Sequence, residues 1–78
     1  MKRYYFDIQD GDRTEIDDVG AELPDTQAVE RETTLALCDM AREALLGRSR
    51  HEMAIHARDA DGPVLEASFH WKLKALRP

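Results

Sequence analysis

Between Asp7 and Asp25 the chain sets eight acidic side chains against one basic one, Arg13. Carboxylates at that density can ligate a hard cation, share a proton in acid–base work, or shape turns by bonding to their own following backbone. Asp10, Asp12, Asp17 and Asp18 are the candidate ligands for Ca²⁺ or Mg²⁺. The run "DGDRTEIDD" lacks the alternating acidic order and the distal glutamate of a calcium-binding helix–loop–helix, and "DADG" at 59–62 is only a fragment of one. Turn chemistry is therefore the favoured reading of the cluster. A carboxylate metal site in the 10–18 loop is an alternative.

Three histidines, His51, His56 and His70, are enough in number for a zinc site. The hairpin register derived below sets His56 across from Glu66 and His70 across from Glu52, an ordinary surface pairing rather than a ligand set. Cys38 is the only cysteine and its neighbour is Asp39, so nothing nearby favours a thiolate; an inert, buried or half-buried thiol is expected. There is no Ser-His-Asp spacing and no glycine-rich phosphate loop. No catalytic residue and no cofactor are assigned, and the chain reads as a non-enzyme.

These side chains must be carried by a small number of elements. In "RYYFDIQ" Tyr4, Phe6 and Ile8 alternate with polar residues, the period of a half-buried strand. "DGD" turns the chain, and a three-residue loop Asp10-Gly11-Asp12 would face Phe6 with Ile16 in a second strand "RTEIDD". Pro24 and Asp25 mark a helix start with Asp25 as N-cap, and Gly47 marks its stop. At 100° per residue Val29, Thr33, Ala36, Leu37, Met40, Ala41, Ala44 and Leu45 share one arc. Leu35 falls among the charges, where a single chain has nothing to cover it. A closing hairpin joins "HEMAIHARD" to "VLEASFHWKLKAL" through a loop Ala60-Asp61-Gly62, with Asp59 opposite Pro63, Ile55 opposite Ala67 and Met53 opposite Phe69. The second of these strands is the longer, so Trp71 and Leu73 should overhang its partner and need a cover.

The 78 residues leave room for one α+β domain, residues 1–78: two layers, an antiparallel sheet of three to four strands with one helix on one face, in the order β-β-α-β-β. The expected core is Tyr4, Phe6, Ile8, Val29, Leu37, Met40, Ala44, Met53, Ile55, Leu65, Phe69 and Trp71. A chain this short gains only about 3–5 kcal/mol from its own core, and no disulfide within the chain can help, which leaves self-association or a metal as reinforcement. The net charge of −5 argues against a nucleic-acid partner. The open sheet face carries Tyr5, His56, Arg58, Ser68, His70, Lys72 and Lys74, but Asp7, Glu52 and Glu66 share it. No stretch has the length and apolarity of a membrane span or a signal peptide, and a cytoplasmic location is expected.

Taken together, "RYYFDIQDG", "DDVGAELPD", the "DMAREAL" helix segment and "MAIHARDADGPVL" resemble a family of short bacterial proteins known as a domain of unknown function. The pattern is an aromatic first strand ending in Asp-Gly, then D-x-x-G-x-E-L-P-D, then the helix. Its most specific part runs from Asp18 to Asp25. The resemblance implies the layout and brings no activity. A fainter likeness, carried by the Tyr-rich opening strand and the "PD" before a Glu- and Ala-rich helix, is to the partner-binding domain of HicB-type antitoxins. It implies an antitoxin-like partner binder as an alternative. The favoured function is a non-enzymatic interaction or regulatory domain that binds a protein partner or itself, as a homodimer. Turn, register and cap roles leave Asp17, Asp18 and Glu22 unused, so those three and Leu35 are the candidate partner-binding residues.

Overall fold

Alternating apolar residues make the first strand, β1 (Lys2–Asp10), of a computed structural model that describes residues 1–78. It is followed by two short strands, β2 (Arg13–Glu15) and β3 (Ala21–Leu23), a helix α1 (Thr26–Ala44), and the long strands β4 (Arg50–Asp59) and β5 (Gly62–Lys72). All strand pairs are antiparallel, in the order β2-β1-β4-β5, with β3 also on β1. The fold is thus α+β, one open sheet with one helix, but with five strands and the order β-β-β-α-β-β. The extra strand is "AEL", which pairs with Lys2–Tyr4 beyond the end of β2.

Two turns differ from the sequence expectation by one residue. Asp10 pairs with Arg13, so the first loop is two residues, Gly11-Asp12. Gly11 has φ +64° at the first central position, where a tight hairpin turn demands it. With Ile8 opposite Glu15, the Phe6–Ile16 pairing is lost: β2 ends at Glu15 and Ile16 is 66% exposed. In the second hairpin Ile55–Ala67, Met53–Phe69, His56–Glu66 and Glu52–His70 pair as the alternation requires. Asp59 pairs with Gly62 instead of Pro63, because a bulge between Ala57 and Arg58 takes up the extra residue at Val64. Pro63, with no N–H to give a ladder, sits beside that irregularity. Of the two residues expected to overhang, Trp71 does not: it pairs with His51, and its indole donates to Arg48 O at 3.1 Å, whereas Leu73 lies past the end of β5 and is 60% exposed.

The helix begins where its cap dictates: Asp25 accepts from the Ala28 N–H at 2.9 Å. Its inward face is centred on Thr33, whose hydroxyl donates to Val29 O at 2.7 Å. Only Tyr4, Val29, Thr33, Leu37, Met53, Ile55 and Ala57 are buried. Phe6, Ile8, Met40, Ala44, Leu65, Ala67 and Phe69 are half-buried around them, Trp71 is half-buried on β5, and Ala36 is exposed. Thr33 and Ala57 are additions to the expected core.

Candidate functional site

The acidic stretch resolves into separate positions and not into a ligand set. No three His, Cys, Asp or Glu side chains converge as a metal site. Asp12 lies in the first turn, Asp18 is exposed, and Asp10 reaches His51 Nε2 at 2.6 Å. Arg48 lies 3.1 Å from the other ring nitrogen of His51. Placing the ring proton on Nε2 satisfies all three groups, because Arg48 can only donate. That arrangement leaves the Asp10–His51 pair without a nitrogen to offer a substrate.

Asp17 has the local structural role that its sequence context withholds. Its Oδ2 accepts from the Phe6 N–H at 3.0 Å, and its Oδ1 accepts from the N–H groups of Val19 and Gly20, each at 3.0 Å. Its own N–H donates to Asp7 Oδ1 at 2.9 Å. β2 covers one end of the outer edge of β1 and β3 the other, so the Asp17 carboxylate supplies the acceptor that neither short strand provides at Phe6. Arg58 closes the cluster from β4: Nε donates to Asp7 Oδ2 at 2.8 Å, and a terminal nitrogen donates to Asp17 O at 2.9 Å. The guanidinium lies 4.6 Å from the centre of the Tyr5 ring. The hydrogen bond from Arg58, then the Asp17 N–H, hold the Asp7 carboxyl below the usual carboxylate range. The N–H groups of Phe6 and Gly20 do the same for Asp17. The aspartate three residues before Gly20 in D-x-x-G is Asp17, which shifts that motif one position from Asp18. Gly20 has φ +74°, and a Cβ there would stand 2.8 Å from Tyr4 O, so the sharp bend admits only glycine.

The remaining candidates lie apart. Glu22 is on β3 with Arg3 at 3.8 Å, and Leu35 is on the outer face of α1, 49% exposed. On the helix-free face of the sheet His56 pairs with Glu66 at 2.9 Å and His70 with Glu52 at 2.6 Å. Cys38 is exposed, not half-buried, because the arc centred on Thr33 turns it toward the β5 side. There it lines a groove of about 360 Å³ with Leu37, Ala41, Leu45, Phe69 and Trp71. Sequence reading missed this groove, although Cys38 and Leu45 at the margin of the apolar arc were its signal.

Beside the groove runs the free edge of β5, which pairs only with β4. The Leu73 N–H donates to Ser49 O at 2.7 Å. Backbone groups alternate sides along an antiparallel strand, so the odd-numbered residues of this register point theirs to β4. Glu66, Ser68, His70 and Lys72 point theirs outward, away from any strand.

A one-helix, open-sheet α+β module with an apolar groove along an unpaired strand edge is the class of molecule these features define. The chain belongs to the domain-of-unknown-function family DUF6894, whose model matches residues 3–70. Comparison with curated proteins yields no match, and neither does comparison with solved structures. No helix is long and apolar enough to cross a membrane.

Proposed function

We propose that this chain is a non-enzymatic interaction domain that works as a homodimer, joined along the α1–β5 groove. The observation that carries this is surface. The chain exposes 6041 Å², whereas a compact monomer of 8.9 kDa exposes about 4,800 Å². The surplus, about 1,200 Å², exceeds the ~800 Å² that each partner gives to a standard interface. Its radius of gyration, 14.4 Å, is likewise above the ~11.5 Å of a compact chain of this length. The groups that do chemistry elsewhere bond to one another here: His51 lies between Asp10 and Arg48, and Asp7 and Asp17 hold Arg58. The single thiol of Cys38 suits a reducing compartment, which supports a cytoplasmic setting.

A charge placed in the groove tests this. Cys38 is exposed, so Cys38→Glu leaves the fold intact by circular dichroism and weakens self-association by about tenfold or more, because a carboxylate resists desolvation in an apolar contact. Unchanged self-association in that variant would remove the groove from the interface.

A further inference from the structure

We infer that the second copy docks by pairing β5 with β5, antiparallel, about a two-fold axis at Phe69; this rests on the homodimer proposed above and specifies its register. The outward backbone groups of Glu66, Ser68, His70 and Lys72 are an unpaired ladder that a second strand can complete. Such ladders are the recurrent way one chain adds a strand to another. Pro63 and the bulge at Val64 limit it at one end, so the pairing segment is 66–72.

Three observations select the axis. With Phe69 on the two-fold, Ser68 lies opposite the partner's His70 and Glu66 opposite the partner's Lys72. All four outward-facing residues then form hydrogen-bonded pairs. On the helix side the two Phe69 rings meet, and Trp71 lies opposite the partner's Ala67, large against small over the groove each chain leaves open. The charges decide most. Arg50 and Lys72 stand directly opposite one another on β4 and β5, and neither takes part in any ion pair of the chain. Like charges so placed destabilise a sheet, and the partner's Glu66, exposed and paired within its own chain only with His56 at 2.9 Å, supplies the missing carboxylate. Shifting the axis to Ser68 would set Glu66 opposite the partner's His70 and Lys72 opposite the partner's Val64, and would leave both cations without a carboxylate.

Disulfide trapping tests the register on the full chain with Cys38→Ser. Protein carrying Ser68→Cys is mixed with protein carrying His70→Cys under mild oxidation. Opposed residues of an antiparallel pair lie about 5.5 Å apart at Cα, within disulfide reach. The expected product is the mixed 68–70 disulfide. A dominant 68–68 product overturns the Phe69 axis in favour of Ser68. No cross-link in a protein that still sediments as a dimer overturns β5 pairing and leaves the homodimer standing; a strict monomer overturns both. Charge exchange gives an independent readout. Glu66→Lys alone and Lys72→Glu alone should each weaken dimerisation about fivefold or more, and the double exchange should restore it. Absence of restoration contradicts the Glu66–Lys72 contact.

Discussion

Asp17 sits in a run of acidic residues, yet its two oxygens are spent on three backbone N–H groups. Asparagine keeps one acceptor oxygen and turns an N–H₂ toward a donor. Asp17→Asn should therefore cost about 1–3 kcal/mol, whereas Asp18→Asn, exposed and next in sequence, should stay within about 0.5 kcal/mol. Urea unfolding of both variants at one protein concentration measures the contrast. The same bonds give stability an acid limit. Asp7 and Asp17 titrate lower in the folded chain than in the unfolded one. Their contribution is complete above the unfolded value of about 4 and is lost as pH falls through the folded values below it. The urea midpoint should drop on going from about pH 5 to about pH 3, and Asp17→Asn should reduce that drop. None of this was legible from residue type, because Asp17 and Arg58 meet across 41 positions. The one available signal was the fixed interval from Asp17 to Gly20: an aspartate three residues before a glycine can bond the N–H groups of the bend it starts.

At the scale of elements, periodicity decided what was readable. The β4–β5 register from Met53 to Ala57 follows from alternation, since a slip of one residue would turn Phe69 and Ile55 to solvent. The loop that closes the hairpin does not follow from alternation. A bulge absorbs one residue without disturbing either face, so the sequence is compatible with both loop lengths. Ile16 departs from expectation for a related reason: alternation alone pairs this lone apolar residue with Phe6, and a two-residue turn at Gly11 denies it that partner. Ile16→Ser should consequently change stability by no more than about 0.5 kcal/mol, well short of the loss expected of a core isoleucine, as measured by urea unfolding. The helix start was read more securely, because its cap is a single-residue device; the helix itself ends at Ala44, three residues short of Gly47. Asp25→Ala should cost about 1 kcal/mol in the same measurement.

The whole molecule measures 53 Å along its longest axis and has one helix for its five-stranded sheet. One helix cannot cover both flanks of β5, and the side chains left half-covered are those of Ala67, Phe69 and Trp71. Length and the lone cysteine announce the shortage of core, but not where it falls. That depends on the helix being centred on Thr33, which a helical projection of the sequence does not weight. A homodimer joined along this edge accounts for the excess surface, the apolar groove and the unanswered pair of cations together. Sedimentation equilibrium of the unmodified chain across the micromolar range tests it most directly. The mass of two chains, falling toward one only on dilution, is the expected result; the mass of a single 8.9 kDa chain at every concentration would contradict it.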